Sequence, residues 1–416
     1  MAHILIWTIS ALSIALMLFR PFGIPEVVWT AAGALLLCLL RLIPWQLAGH
    51  AVGEGLDVYL FLTGMMLLSE LAKVNGVFDW LAGIAVKKGD GSPARLFTLI
   101  YGVGTVVTIF MSNDATAVVL TPAVLSAVKR AQVKPLPYLL ICALIANAAS
   151  FVLPISNPAN LVVFHSNMPP LFRWLAMFAL PSLVSIVITY LMLRWYCRND
   201  MTRPSEEADT DGQLSTPGKI SLFGILSVAV VLLVASALKM DLGLPTCLAS
   251  LVIAAIVLIR ERANPLPIIR DISWSVLPLV AALFVIVEAV KTAGALQILH
   301  GALLHAMQWP AALSALAVGG VVGFGTNLVN NLPLGLIAGA TLQTVPFHPV
   351  LARAVLIGVD LGPNLSITGS LATILWLIAI RREGMHFSGW EFLKAGMIVM
   401  PISLLFTLIA ALVGAR

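Results

Sequence analysis

The sequence ELAKVNG at residues 70–76 recurs as EAVKTAG at residues 288–294, with Glu, Lys and Gly at the same spacing in both. Asn113 and Asn330 are related by nearly the same offset along the chain. The apolar segments before each motif keep this register: residues 4–19 match 222–237, and residues 26–41 match 244–260. Such a long internal repeat predicts a chain of two related halves, which is a common architecture of membrane transporters.

The composition predicts a protein that lies in the lipid bilayer. Of the 416 residues, 60% are apolar and 10% are charged. Soluble domains are typically about 45–50% apolar and about 25% charged. The sequence therefore excludes a disordered chain, a disulfide scaffold and an ordinary soluble enzyme, and it predicts an all-α polytopic membrane protein. The net charge of +5 is too small to suggest a nucleic-acid partner.

A polar and acidic segment separates the two halves. Residues 198–218 (RNDMTRPSEEADTDGQLSTPG) are unlike the apolar sequence on either side and contain two prolines. This segment is predicted to be a linker, because turn-forming and charged residues cluster in it. The first half then comprises residues 1–197 and the second half residues 219–416.

Basic residues lie in opposite sets of loops in the two halves. The loops at 87–95 and 129–134 carry Lys and Arg, whereas their counterparts in the second half carry neither. Conversely, the loop at 260–270 has three Arg, whereas its counterpart at 42–55 has no Lys or Arg. Because short cytoplasmic loops collect Lys and Arg, the halves are predicted to be inverted, with the linker inside and both termini outside.

Each half also contains a long apolar segment that polar residues interrupt, at 93–130 and at 310–345. Both ends of the first segment are predicted to lie inside, so it forms either a re-entrant hairpin or two full spans. We favour the hairpin, with the polar residues at its tip. A broken helix follows each hairpin, at 137–164 and at 350–380. The predicted fold is two inverted repeats of five transmembrane helices each, with one re-entrant hairpin and one broken helix per repeat.

Four polar clusters interrupt otherwise apolar segments, and most of their members are Asn, Ser or Thr. The candidate substrate-binding residues are Ser112, Asn113, Thr116, Asn147, Ser156, Asn157, Asn160, Asn327, Asn330, Asn331, Asn364, Thr368, Gly369 and Ser370. Pro and Gly in these clusters predict helix breaks, which leave free backbone N–H and C=O groups near the membrane midplane.

Neutral donors and acceptors of this kind suit a small, uncharged, hydroxylated solute or a weakly held cation. No Arg lies beside any of the four clusters, which argues against a multivalent anion. Hydrogen bonding between helices is the alternative role for such residues. The matching positions of the clusters in the two halves favour a binding site.

Two acids within these clusters, Asp114 and Asp360, can carry a proton. An ionised carboxylate at the bilayer centre costs at least about 2.5–3.5 kcal/mol, so such a group pairs, faces water or takes up a proton. Both are candidate proton-coupling residues. The i, i+3 pairs Glu70–Lys73 and Glu288–Lys291 are either proton-coupling groups as well or charge-neutralised structural pairs.

Motifs of other functional classes are missing from the sequence. It contains no GxxxxGK[ST] for ATP hydrolysis, no GxSxG and no HExxH, and its Cys and His residues are dispersed without metal-ligand spacing. We therefore predict a transporter that is not an enzyme and that uses no cofactor or resident metal.

The stretch at 358–376 (GVDLGPNLSITGSLATILW) resembles the ArsB-type arsenite permeases of the ion transporter superfamily. Asn113-Asp114 followed by Leu120-Thr121-Pro122, Ser156-Asn157 and the sequence NNLP at 330–333 match as well, and the resemblance extends along essentially the whole chain. The Asn-rich tips alone are shared with sodium/proton antiporters, dicarboxylate and citrate carriers, and silicon-efflux carriers. One departure is Asn364, which stands where ArsB relatives often carry Lys.

The resemblance implies secondary efflux of arsenite and antimonite, as neutral trihydroxides, across the bacterial inner membrane in exchange for protons. Proteins of that family can also work with a separate arsenical-pump ATPase, which is the partner that the resemblance implies. Two alternatives remain open at this point: a cation/proton antiporter or organic-anion carrier of the same architecture, and a passive channel subunit that depends on an ATPase for energy.

Overall fold

The computed structural model describes residues 2–164, 168–201, 213–346 and 348–413, and over these residues the chain folds into helices and contains no strand. The predicted all-α class is confirmed. In the first half the helices are α1 (Ala2–Phe19), α2 (Glu26–Leu39), α3 (Trp45–Glu54), α4 (Leu56–Val74), α5 (Val77–Gly89), α6 (Pro93–Phe110), α7 (Thr121–Arg130), α8 (Leu136–Ala148), α9 (Pro158–Phe164) and α10 (Leu171–Tyr196). In the second half they are α11 (Thr216–Ala237), α12 (Gly243–Glu261), α13 (Leu266–Asp271), α14 (Val276–Thr292), α15 (Ala295–Met307), α16 (Ala311–Val329), α17 (Asn331–Leu342), α18 (Pro349–Leu361), α19 (Leu371–Arg382) and α20 (Gly389–Val413).

Eight helical segments of the described chain are long and apolar enough to cross a membrane. Helices α3 and α4, which meet at a 47° bend, form a ninth candidate if they are taken together. The chain is therefore a multi-pass membrane protein. Helices α6 and α16 are among the eight, so each predicted hairpin begins with a helix of full spanning length. The re-entrant path of these segments, and the inversion of the halves, stay predictions.

The helices break at the polar clusters. Helix α6 ends at Phe110, and a π-helical segment at Ala115–Leu120 leads into α7. Helix α16 is followed directly by Asn330, a non-glycine residue with φ of +77°. After α8 the chain turns through Leu153 and Pro154 before α9 begins. These breaks leave backbone groups without helical partners in the middle of an apolar bundle, so polar side chains must satisfy them.

Contacts between the halves place the breaks side by side. Helix α2 packs against α14, and α12 packs in the same way against α4, so each half supports the Glu-x-x-Lys helix of the other. Helices α10 and α20 pack against each other, and α17 packs against α9. The broken segments are thereby held between helices of both halves, which is where a shared site can form.

Candidate functional site

A small cavity lies where the breaks of both halves meet. We call it the central cavity; its volume is about 20 Å³. It is lined by Leu62, Asn113, Asp114, Asn157, Pro158, Val276, Val280, Asn331, Leu332, Ser370, Leu371 and Ala372. A cavity needs roughly 10–15 Å³ to hold one water, so this one has room for about a water molecule. Residues from all four predicted polar regions, the two tips and the two broken helices, contribute to its wall.

The first tip places a carboxylate in the cavity wall. The Ser112 hydroxyl accepts a hydrogen bond from the Ala115 N–H at 3.1 Å, and the Asn113 side-chain oxygen accepts one from the Asp114 N–H at 2.9 Å. The side chains of Ser112 and Asn113 thus hold the backbone of the turn by hydrogen bonds. The Asp114 carboxylate is left facing the central cavity, and no described residue donates a hydrogen bond to it.

The two asparagines of the second tip, Asn330 and Asn331, have different roles. Asn330 holds the turn, because its Oδ1 accepts a hydrogen bond from the Leu332 N–H and its Nδ2 donates one to the Thr368 carbonyl. Asn331 occupies the repeat position of Asp114 and, like Asp114, lines the central cavity. The Asn331 side chain is 2% exposed, and its Oδ1 has no hydrogen-bond partner among the described residues. A buried acceptor without a protein partner is costly, so a water molecule or a bound solute is expected to satisfy it.

The broken helices contribute one amide and one hydroxyl. Asn157 begins α9: its Oδ1 accepts a hydrogen bond from the Ala159 N–H at 3.0 Å, and its Nδ2 donates to Asp360 at 2.9 Å. Ser370 begins α19, where its Oγ accepts a hydrogen bond from the Thr373 N–H at 3.1 Å. Both side chains cap a helix that starts at the cavity, as Asn and Ser do at helix N-termini.

The other predicted substrate-binding residues lie outside the lining of the central cavity and bond to protein groups. Asn147 donates to Asn364, which in turn donates to the Leu144 carbonyl, so these two amides tie the broken helices together. Bonds of the same kind to the backbone of the tips and breaks are made by Thr116, Ser156, Asn160, Asn327 and Thr368. Ser112 lines a neighbouring cavity. Gly369 packs against backbone, since a Cβ added to it would lie 2.5 Å from the Pro363 backbone.

Two further cavities contain the Glu-x-x-Lys pairs. The first, of about 130 Å³, we call the Glu70 vestibule; Glu70, Lys73, Asp271 and Arg382 are its charged residues besides Asp114. Lys73 and Glu70 form an ion pair at 2.8 Å. This vestibule shares Leu62, Asp114, Pro158 and Val276 with the central cavity, so it reaches the site directly.

The second, of about 80 Å³, we call the Glu288 vestibule, and its charged residues are Glu54, Glu288 and Lys291. Lys291 and Glu288 pair at 2.8 Å. No described residue lines both this vestibule and the central cavity. Phe284 and Leu336 line the vestibule one helical turn beyond Val280 and Leu332, which line the central cavity, so an apolar layer about one turn thick separates the two.

Some of these residues are not among the sequence predictions. Leu62 and Val280 both line the central cavity and occupy equivalent positions of the repeat. Glu54 and Asp271, which line the two vestibules, lie one residue apart from exact correspondence in the register of the repeat. The repeat relates each pair, but apolar residues in apolar helices carry no chemical signal of their own. Only the register of the repeat combined with a known site could have identified them.

Comparison with known proteins identifies a family and several relatives. The model of the CitMHS family, described as citrate transporter, matches residues 6–359. The chain is 26% identical to the arsenical pump membrane protein of Escherichia coli (strain K12), with 97% of each chain covered. It is 24% identical to a putative arsenical pump membrane protein of Bacillus subtilis (strain 168), over 94% of this chain and 95% of that protein. The crystal structure of the Alcanivorax borkumensis YdaH transporter has a similar fold, with a TM-score of 0.57 at 14% identity over 90% of this chain and 88% of that one.

Proposed function

The chain belongs to the CitMHS family of transporters, and from its similarity to arsenical pump membrane proteins we propose that it exports arsenite and antimonite across the bacterial inner membrane in exchange for protons. It is a multi-pass inner-membrane transporter and not an enzyme. The relatives named as arsenical pumps support an arsenical as the substrate. The observation that carries the choice of substrate is the lining of the central cavity, which has amides, one hydroxyl and one carboxyl but no basic side chain.

The lining favours a neutral hydroxylated solute over citrate, which the family description names. A carboxylate or phosphate ligand is usually bound by Arg or Lys, through charge-assisted hydrogen bonds. Here the charged group at the cavity is Asp114, which would repel an anion. A trihydroxide of arsenic or antimony offers O–H donors, and the Asn331 Oδ1 is an acceptor without a partner among the described residues.

Asp114 is the group that we propose exchanges the proton. It lines both the central cavity and the Glu70 vestibule, so a proton can reach it from one side of the membrane while a solute occupies the site. The Glu70–Lys73 pair lies along the same route and Glu288–Lys291 lies along the opposite one. By the distribution of basic loops the Glu70 vestibule faces the cytoplasm, which is the side from which an exporter loads its substrate.

The volume of the central cavity adds a requirement for movement. About 20 Å³ holds roughly a water molecule and not a trihydroxide. Substrate binding therefore requires the tips and the broken helices to separate, and release requires the apolar layer at Phe284 and Leu336 to open. Alternating opening of the two vestibules around a fixed site is the usual mode of secondary transporters.

Growth and flux measurements in cells that lack their own arsenical efflux test the proposed function. Arsenite, antimonite, sodium and citrate are compared in everted vesicles, with a pH gradient as the driving force and without ATP. Uptake of arsenite and antimonite that a protonophore abolishes is expected. Sodium-stimulated or citrate transport would favour the other carriers of this architecture, and gradient-independent downhill flux would favour a passive channel.

Loss of the free acceptor in the cavity is expected to weaken substrate binding. Asn331→Leu keeps the approximate size of the side chain but removes its hydrogen-bonding groups, so the KM for arsenite should rise about tenfold, equivalent to about 1.4 kcal/mol. The matched control is Asn199→Leu, at an exposed position at the start of the linker. An unchanged KM in Asn331→Leu would remove this amide from the binding site.

Cysteine labelling tests the predicted sidedness of the vestibules. Ser273 lines the Glu70 vestibule and Ala340 lines the Glu288 vestibule. In a background with Cys247→Ser, which removes the one native thiol that is not buried, a membrane-impermeant maleimide should label Ser273→Cys in inside-out vesicles and Ala340→Cys in right-side-out vesicles. Labelling of both from the same side would contradict the inverted arrangement.

A further inference from the structure

Asp360 lies at one end of a buried hydrogen-bonded chain behind the wall of the central cavity. Its side chain is fully buried and does not line the central cavity or either vestibule. Its Oδ1 accepts a hydrogen bond from Nδ2 of Asn157 at 2.9 Å, and its Oδ2 lies 2.7 Å from Oγ of Ser150. Because Asn157 does line the central cavity, this amide connects Asp360 to the cavity wall.

The two short contacts of the Ser150 hydroxyl determine how many protons the hydrogen-bonded chain must contain. Its Oγ lies 2.7 Å from the Asn147 carbonyl oxygen and also 2.7 Å from Oδ2 of Asp360. A serine hydroxyl has one proton to donate, and a backbone carbonyl can only accept. Two full hydrogen bonds at Ser150 therefore need a second proton, and Asp360 is the one of the two partners that can carry it.

The surroundings of Asp360 agree with a neutral acid. None of the six ion pairs found among the described residues includes it. The other charged residue of its helix, Arg353, donates a hydrogen bond to the Ala411 carbonyl at 2.8 Å. Burying an unpaired carboxylate in an apolar bundle is costly, whereas a carboxylic acid with both oxygens hydrogen-bonded is satisfied.

We propose that Asp360 is a positioning residue: as a neutral carboxylic acid it donates to Ser150, accepts from Asn157 and so fixes the Asn157 amide at the wall of the central cavity. This inference rests on the proposed function and assigns Asp360 a role other than proton exchange. The Asn157 amide is held on both sides, because its Oδ1 also accepts a hydrogen bond from the Ala159 N–H. Its orientation toward the solute is thereby set before the solute arrives.

Two substitutions at Asp360 separate positioning from proton exchange. Asp360→Leu removes both hydrogen bonds and should raise the KM for arsenite about tenfold, while the dependence of efflux on the pH gradient keeps its shape. Asp360→Asn should rescue the KM to within about twofold of the wild-type value, because an amide can donate to Ser150 and accept from Asn157 as the protonated acid does. Loss of gradient-driven efflux in a folded Asp360→Asn protein, or equal losses in both variants, would overturn the proposal.

A second measurement does not depend on the substrate. The midpoint of thermal unfolding in detergent is compared for Asp360→Leu, Asn157→Leu and the double variant. Since each single substitution breaks the same hydrogen bond, the double variant should lose less than the sum of the two, and Asp360→Asn should unfold close to the wild type. Additive losses would overturn the proposal. If the wild-type protein moves no arsenical, the proposed function fails, while this cycle still tests whether Asp360 holds the Asn157 amide.

Discussion

Asp114→Asn is expected to abolish arsenite efflux driven by a pH gradient, while the protein stays folded and inserted. The carboxylate lies in the wall of the central cavity without a hydrogen-bond donor from any described residue, so its replacement by an amide breaks no bond that holds the first tip. The amide cannot carry a proton across. A charge moved across the membrane is worth roughly 2.3 kcal/mol per 100 mV, and this driving force should disappear.

The measurement is arsenite uptake by everted vesicles. In these vesicles respiration pumps protons inward and acidifies the lumen. The control is Asp360→Asn, the same chemical change at the other acid of the polar clusters, for which gradient-driven uptake is expected to persist. Asp114→Asn should still permit slow downhill exchange of arsenite across vesicles without a gradient. Uptake at the wild-type rate by Asp114→Asn would remove this residue from proton exchange.

The repeat allows a sharper version of this experiment. Asn331 occupies the position of Asp114 in the second half, and both side chains line the central cavity. In the double variant Asp114→Asn with Asn331→Asp, the cavity keeps one acid and one amide but exchanges their places. Partial recovery of gradient-driven uptake would mean that a titratable acid in the cavity is sufficient. No recovery would mean that the connection to the Glu70 vestibule, which Asp114 has and Asn331 lacks, is also necessary.

The sequence predicts the helical class correctly, and the polar clusters that it singles out lie where helices end in the structure, because both features depend on local chemistry. Pro154 and the Gly362-Pro363 pair interrupt their helices where they are expected to do so, and each asparagine tip follows the end of a helix. The register of the repeat also relates Asp114 to Asn331, and both lie in the wall of one cavity. These features depend on Pro, Gly, Asn and Asp, which are uncommon in apolar helices and therefore stand out in the sequence.

The sequence does not predict which amide side chains line the cavity and which bond to other parts of the protein. Asn330 and Asn331 are adjacent and chemically identical, yet one holds the turn and the other faces the cavity. Likewise Asn147 and Asn364 bond to each other, while Asn157 lines the site. Which way a side chain points at a break depends on the backbone path, and that path is fixed by contacts between distant helices such as α12 and α4.

Gly362→Ala is expected to give the largest loss of stability among single substitutions at the site. Helices α16 and α18 cross with backbone against backbone, since a Cβ on Gly362 would lie 2.2 Å from the Gly323 carbonyl oxygen and 2.6 Å from its Cα. Neither atom belongs to a side chain that can rotate away. Overpacking of this kind typically costs about 1–3 kcal/mol and occasionally more, so the midpoint of thermal unfolding in detergent should fall by several degrees.

The matched control is Gly320→Ala in α16, where no atom lies within 4 Å of the added Cβ. Alanine in an open helical position stabilises by roughly 0.5–1 kcal/mol relative to glycine, so the two substitutions should shift the midpoint in opposite directions. The loss in Gly362→Ala should also reach the site, because Asn364 follows closely in the chain and accepts the hydrogen bond from Asn147.

The equivalent crossing of the first half shows why the effect is specific to the second. There Gly104 approaches Ile145, and a Cβ on Gly104 would meet the Ile145 Cγ2 methyl at 2.8 Å. Ile145 occupies the position of Gly362 in the repeat. Helices α6 and α8 of the first half therefore contact each other through a side chain, whereas α16 and the end of α18 contact each other through backbone atoms. The Cγ2 methyl belongs to a β-branched side chain, so it can shift by a small change of χ1, whereas the Gly323 backbone has no such freedom; Gly104→Ala should therefore cost less than Gly362→Ala. Equal losses in the two variants would mean that backbone contact does not set the stability of the broken helix that bears Asp360 and Ser370.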